Sequence, residues 1–198
     1  RVLFRSDVSV SSLKKIVQEG NNNLVANSNW FKGPSGWRLS TTLAGNYFYG
    51  VSGSIAIEDK YYIRLGHINN NATSIIYADS QKFPVVAGEK ITYGGFGSAL
   101  SNAVIRIFLL FTDNTADISA DNNFMSGYTW LDFTTTNFVK KNLTVTVPSG
   151  ATRAFVRIRM HKLDTTINTD SSGVISSLMV RKGEEIFEWC PSQGDSFL

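Results

Sequence analysis

Short runs of alternating apolar and polar residues dominate the chain from Trp37 to Leu178. Turn-forming Gly, Pro, Asn and Asp separate these runs, most clearly at Gly33–Gly36 and Pro148–Gly150. No helical pattern of ten or more residues follows residue 20. The predicted strands are Trp37–Thr42, Tyr47–Gly50, Ser54–Ile57, Tyr61–Ile68, Ser74–Tyr77, Lys82–Val85, Lys90–Gly97, Val104–Thr112, Phe138–Val147, Arg153–His161 and Gly173–Arg181. Many short strands with this spacing predict an all-β sandwich.

Residues 1–20 differ from the rest of the chain. Leu13, Ile16 and Val17 would share one face of a short amphipathic helix that ends at Gly20. A helix this short is marginal alone, so it should dock on the body, on a second copy or on a larger assembly. A plain linker is the alternative. We therefore expect an N-terminal arm or linker over residues 1–20 and one β-sandwich over residues 21–198.

Composition narrows the classes of function. The chain has 198 residues, of which 18% are charged, and a net charge of +3. This is a sparse positive charge for a protein that binds duplex nucleic acid. The single cysteine, Cys190, can form neither a disulfide framework nor a cysteine metal site. No apolar run approaches the roughly 18 residues of a membrane span, so neither nucleic acid nor membrane insertion is predicted.

Catalytic motifs are not evident in the sequence. The two histidines, His67 and His161, accompany no recognisable Ser or Cys nucleophile motif. Paired carboxylates could hydrolyse glycosides, but the acidic residues fall mostly in predicted loops, where they usually form solvated turns. We therefore predict a protein that is not an enzyme.

Two aromatic clusters could bind sugar, because pyranose rings pack on flat aromatic faces while hydroxyl groups need polar partners. The first is the segment Asp121–Trp130, assigned to a long connection between strands, in which Tyr128 and Trp130 are the candidate sugar contacts. Asn122 and Asn123 would supply its polar partners. Trp130 could instead cap the edge of the sandwich.

The second aromatic cluster lies in the predicted strand Tyr47–Gly50. Tyr47 and Tyr49 would share one face, and Phe48 would face the core. Tyrosines with buried rings and satisfied hydroxyl groups are the alternative.

A cationic face is the third candidate. Strand alternation places Arg157, Arg159 and His161 on one face of the strand Arg153–His161. Arg106 and Arg64 also interrupt apolar strands, and arginines gathered on one face could bind the phosphates or carboxylates of a charged polysaccharide. A solvated face with cross-strand ion pairs is the alternative.

Four segments carry a resemblance to a known family. They are an apolar strand with a Lys-Gly turn and a Trp-Cys-Pro tail (Val174–Ser192), an Asn-rich opening (Asn23–Phe31), a strand with an Ala-Gly turn (Lys82–Tyr93) and a hairpin around Val-Pro-Ser-Gly (Phe138–Val156). Together they resemble the carbohydrate-binding-module-like jelly rolls of phage tail and baseplate proteins, most closely the accessory baseplate proteins of phages of Gram-positive bacteria.

The resemblance implies a jelly roll that acts on the virion, at the host cell surface, as a non-catalytic glycan-binding module. Its partners would be host cell-wall polysaccharide and, through the arm, other baseplate proteins. One alternative is a purely structural module that binds virion proteins, and another is a glycoside-active enzyme.

The same resemblance bears on the chain ends. It implies that Asn23–Phe31 and the Trp189 segment form a clasp, with Trp189 as a buried structural residue. Relatives often hold one structural calcium near the chain ends, usually through an acidic residue of the last strand. Ser176 and Ser177 occupy that place here and carry no carboxylate. We therefore predict no cofactor, with a structural calcium held by Asn and backbone carbonyl oxygens as the alternative.

Overall fold

The described part of the computed structural model comprises residues 23–25, 36–41, 46–52, 61–67, 76–100, 102–114, 124–163 and 170–184. All eleven elements in these ranges are β-strands. They are β1 (Arg38–Thr41), β2 (Asn46–Ser52), β3 (Tyr61–His67), β4 (Ile76–Asp79), β5 (Phe83–Pro84), β6 (Lys90–Leu100), β7 (Ala103–Thr112), β8 (Thr129–Phe133), β9 (Val139–Thr146), β10 (Arg153–Lys162) and β11 (Ser171–Lys182). Within these ranges, no helix is long and apolar enough to cross a membrane.

The strands form two antiparallel sheets. The first sheet has the order β1-β4-β10-β7-β8, and β5 also pairs with β10. The second sheet has the order β2-β3-β11-β6-β9. The predicted β-sandwich is therefore confirmed. The predicted strand Ser54–Ile57 lies outside the described residues, and the sequence did not predict β8.

The hydrophobic core lies between the two sheets. Strand alternation sends Ile105, Ile107 and Leu109 of β7 into it, together with Tyr93 of β6 and Phe133 of β8. These five side chains are completely buried. The long, almost continuously buried strands β6, β7, β10 and β11 thus form a rigid body that carries the outward-facing residues of both sheets.

The start of the described chain is attached to the last described strand. The Asn23 side chain donates to the Leu178 carbonyl at 2.7 Å, and the Leu24 N–H donates to the Val180 carbonyl at 2.8 Å. These contacts lie at a bulge in β11 between Ser176 and Met179, opposite Gly94 and Gly95 of β6. The predicted partner Trp189 and the predicted arm over residues 1–20 lie outside the described residues.

Candidate functional site

The outward surface of the first sheet is the candidate site, and we call it the outer face. Alternate residues of four neighbouring strands point away from the core, because the residues between them belong to the core or pack against it. The register places them side by side across the sheet. They are Tyr77 and Asp79 of β4, Arg157 and Arg159 of β10, Arg106 and Phe108 of β7, and Trp130 and Asp132 of β8.

An aromatic cluster covers one end of the outer face. Trp130 lies opposite Phe108 in the strand register, with ring centroids 5.9 Å apart. Tyr128 contacts Phe108 edge-on at 5.9 Å and Phe124 at 5.2 Å, and it lies 6.2 Å from Trp130. Aromatic pairs in this range stabilise each other by about 1 kcal/mol. Trp130 and Tyr128 are nevertheless 46% and 37% exposed, so their rings are held in place and remain accessible.

The turn before β8 positions Tyr128. The Met125 N–H donates to the Phe111 carbonyl at 2.8 Å, which anchors the turn to the end of β7. Gly127 has φ +86°, a backbone conformation that side chains disfavour, and this residue turns the chain into β8. Trp130 therefore belongs to a strand, and the assignment of the whole segment Asp121–Trp130 to a loop was wrong at its end. Leu131 and Phe133 face the core and fix the outward direction of Trp130.

Arg157 and Asp79 form a buried ion pair at the centre of the outer face. The Arg157 Nε and Nη2 atoms donate to the two Asp79 carboxylate oxygens at 2.7 and 2.8 Å. The guanidinium also lies 4.2 Å from the Tyr77 ring centroid. Burial alone would lower the pKa of Arg157, but the hydrogen bonds to Asp79 and its charge outweigh burial and raise that pKa. This pair is a fixed structural element.

Arg106 and Asp132 form a second ion pair, nearer the edge of the sheet. Arg106 donates to both carboxylate oxygens of Asp132, its directly opposite neighbour on β8. The Arg106 guanidinium also lies over the Trp130 ring, 5.6 Å from its centroid. This side chain therefore connects the aromatic cluster to the charged centre of the outer face.

Arg159 has a different environment. It lies opposite Arg106 on β7 and two residues from Arg157 on β10, so both of its charged neighbours are also cations. Within the described residues, no hydrogen bond or ion pair engages its guanidinium, and its buried Nε has no acceptor. Burial lowers the pKa of Arg159, and the charges of Arg106 and Arg157 lower it further, while Tyr128 partly opposes this effect.

The structure brings together some of the predicted site residues. Trp130, Tyr128, Arg157 and Arg159 share the outer face, and His161 lies further along β10, opposite Val104. Tyr47 and Tyr49 lie in β2 of the second sheet, so they would belong to a separate surface, and Arg64 is also in that sheet. Arg64 therefore does not share a face with Arg106, Arg157 and Arg159, a question that the sequence left open. Asn122 and Asn123 lie outside the described residues.

Sequence patterns had not identified several members of the outer face. Phe108, Phe124, Tyr77, Asp79 and Asp132 complete its aromatic and charged contacts. Alternation within β7 and β4 could have marked Phe108 and Asp79 as outward-facing. Their neighbours across the sheet depend on a strand order that the sequence does not reveal.

The described residues do not match a calcium site of the kind that the resemblance implies. Ser176 is fully buried at the β11 bulge, and the adjacent Asn23 carboxamide is already hydrogen-bonded to backbone groups. Within the described ranges, no three His, Cys, Asp or Glu residues form a group that could hold a metal ion. Calcium binding usually requires several oxygen ligands that include carboxylates, and the expectation that the chain has no cofactor stays a prediction.

Comparison with protein-family models and with curated protein sequences found no match. Solved structures do show a similar fold. The enzymatically active domain of tailspike protein 4 of bacteriophage CBA120 aligns with a TM-score of 0.63 and 15% identity, over 81% of this chain and 21% of that one. The chain thus spans about a fifth of the tailspike structure.

Two isolated modules align over nearly their whole length. A family 16 carbohydrate-binding module has a TM-score of 0.57 and 14% identity, over 80% of this chain and 99% of that one. The CBM22-1 xylan-binding domain of Paenibacillus barcinonensis Xyn10C has a TM-score of 0.52 and 11% identity, over 84% and 98%. At these identities the likeness concerns the fold, which is the β-sandwich found in carbohydrate-binding modules.

Proposed function

We propose that this chain is a non-catalytic glycan-binding module of a phage tail or baseplate, and that it mediates adhesion to host cell-wall polysaccharide. The main observation in favour is the pair of exposed rings, Trp130 and Tyr128, held rigidly beside charged side chains on one sheet face. A sugar ring would pack on these rings, and neighbouring polar groups would orient its hydroxyl groups. Single contacts of this kind are weak, and many copies on one virion would supply avidity.

The arrangement of the carboxylates supports a non-catalytic role. Glycoside hydrolysis uses two carboxyl groups that flank the scissile bond, one of them free to donate a proton. Among the described residues, the carboxylates on the outer face are Asp79 and Asp132, and each is bound by an arginine through two hydrogen bonds. Both carboxylates are therefore already engaged with a guanidinium, whereas the catalytic pair of a glycoside hydrolase must flank a glycosidic bond.

The placement on a virion rests on two further points. The segments Asn23–Phe31 and Val174–Ser192 resemble those of phage baseplate proteins, and a bacteriophage tailspike is among the similar structures. In this proposal the protein acts at the surface of a Gram-positive host, and residues 1–20 attach it to other baseplate proteins.

Glycan binding can be tested with cell-wall polysaccharides of Gram-positive bacteria immobilised on an array. We expect the wild type to bind, and Trp130→Ala, Tyr128→Ala and the double variant to bind about tenfold more weakly or worse, which corresponds to about 1.4 kcal/mol. Phe96→Ala is a matched control, because Phe96 is a half-buried aromatic residue of the second sheet. Unchanged binding by the double variant would exclude this site, and release of reducing ends from the polysaccharide would overturn the non-catalytic assignment.

A structural assembly module remains the second candidate, because Trp, Tyr and Arg are also enriched at the centres of protein interfaces. In that case the wild type would bind no polysaccharide on the array. Trp130→Ala would instead weaken its co-purification with other baseplate proteins.

A further inference from the structure

Three arginines occupy adjoining positions on the outer face, and their charges are balanced unequally. Arg157 is paired with Asp79 and Arg106 with Asp132. Arg159 lies next to both arginines, and within the described residues it contacts no carboxylate. Among these three arginines, Arg159 is therefore the one that no carboxylate of the described residues compensates, and it adjoins the two that are compensated.

This arrangement is unfavourable for the isolated protein. Like charges directly opposite each other on neighbouring strands destabilise a sheet, and Arg159 and Arg106 are such a pair. Arg159 is also half-buried, so solvent screens its charge incompletely. A ligand group of opposite charge would remove this cost, whereas a neutral ligand would leave it in place.

The position of Arg159 relative to the exposed rings indicates what kind of ligand fits. Arg159 on β10 and Trp130 on β8 are two strand spacings apart and offset by two residues along the strands, which separates them by roughly 12 Å. Arg106 lies between them, opposite Arg159 and over the Trp130 ring. A saccharide on Trp130 and Tyr128 would thus extend toward Arg159 along a surface that is already cationic.

We propose that Arg159 forms an anion subsite, so that the glycan bound here is acidic and carries a carboxylate or phosphate group that pairs with this guanidinium. This inference rests on the proposed glycan-binding function and specifies its class of ligand. The planar guanidinium can donate two parallel hydrogen bonds to either oxyanion. Arg106 and Arg157 would remain bound to their own aspartates, so Arg159 supplies the charge that pairs with the ligand.

The test measures how tightly the full chain binds three polymers. They are polygalacturonate, which carries carboxylates, poly(glycerol phosphate), which carries phosphodiesters, and neutral galactan. The test variant is Arg159→Gln. The control is Arg153→Gln, which removes one positive charge from the same strand and face. Binding is measured by isothermal calorimetry at 50 and 300 mM NaCl. Thermal unfolding of each variant is measured in parallel.

We expect the wild type to bind at least one acidic probe about tenfold more tightly than galactan, with affinity falling as salt rises. Arg159→Gln should remove this preference and most of the salt dependence, whereas Arg153→Gln should retain both. The unfolding temperature of Arg159→Gln should equal or exceed that of the wild type, since the substitution relieves repulsion. A clear decrease would instead indicate a structural role for Arg159 and contradict the proposal.

The remaining outcomes separate this inference from the proposed function. The acidic probe that binds more tightly shows whether the ligand group is a carboxylate or a phosphate. If galactan binds in a way that depends on Trp130 and neither acidic probe binds more tightly than galactan, the anion subsite is wrong and glycan binding stands. If no polysaccharide, acidic or neutral, binds here or on the array, both proposals fail.

Discussion

The Val180 N–H donates a hydrogen bond of 3.0 Å to the side-chain oxygen of Asn23, across 157 residues of sequence. The same oxygen accepts from the Val25 N–H at 3.2 Å, and the Asn23 amide nitrogen donates to the Leu178 carbonyl at 2.7 Å. A single buried carboxamide thus satisfies three backbone groups around the bulge in β11. These groups would otherwise be buried without partners, which is costly.

Replacing Asn23 should therefore lower stability without affecting the outer face. We expect Asn23→Ala to reduce the free energy of unfolding by about 2–3 kcal/mol, because backbone donors and an acceptor lose their partners. Asn23→Asp is the matched variant: it retains the acceptor but places a carboxylate against the Leu178 carbonyl, so it should also destabilise. Urea denaturation monitored by tryptophan fluorescence measures both effects. Wild-type stability of Asn23→Ala would show that these three hydrogen bonds are dispensable.

The fold was largely predictable because local rules determine it. Alternation and turn residues located most of the described strands to within a few residues, as for Val104–Thr112 against β7 (Ala103–Thr112). The strand β8 escaped prediction because only Leu131 and Phe133 face the core in its five residues, and the segment before it is polar. A short edge strand of this kind has too few alternating positions to stand out.

The site was predictable only within single strands. Alternation correctly put Arg157 and Arg159 on one face, but it could not show that Arg106 joins them while Arg64 lies in the other sheet. That distinction depends on which strands are neighbours, and Arg157 meets its partner Asp79 across 78 residues of sequence. Long-range pairing of this kind arises from sheet topology and leaves no local signal in the sequence.

Removing one partner of the Arg157–Asp79 pair should strongly destabilise the protein. Asp79 is 1% exposed, so Asp79→Ala leaves a buried guanidinium uncompensated, and we expect a loss of about 3–5 kcal/mol. Asp132→Ala, at the more exposed pair with Arg106, should cost about 1 kcal/mol or less. The double variant Asp79→Ala/Arg157→Met should recover part of the lost stability, because it also removes the uncompensated guanidinium of Arg157. Equal losses for the two aspartates in chemical denaturation would contradict this account.

Gly97 of β6 is required by close packing. A Cβ atom at this position would lie 2.6 Å from the Phe133 ring and 2.8 Å from the Ile175 side chain, both fully buried. We expect Gly97→Ala to destabilise the protein by about 1–3 kcal/mol through overpacking. Combining it with Phe133→Leu should cost less than the sum of the two single changes, since the smaller side chain makes room. Strict additivity in a double-mutant cycle would show that the two residues do not compete for space.

Tyr93 should make stability depend on alkaline pH. Burial raises the pKa of Tyr93 from 10.0 to about 12, although its hydrogen bond with Thr129 acts in the opposite direction. The folded state therefore holds this proton more tightly than the unfolded state. The resulting stabilisation is complete below pH 10 and is lost as the pH rises toward 12, at up to about 1.4 kcal/mol per pH unit.

Tyr93→Phe lacks this proton. Denaturation at pH 8, 10 and 11 should therefore show that the stability advantage of the wild type over Tyr93→Phe shrinks above pH 10. An advantage that stays constant from pH 8 to 11 would mean that Tyr93 has the same pKa in the folded and unfolded states.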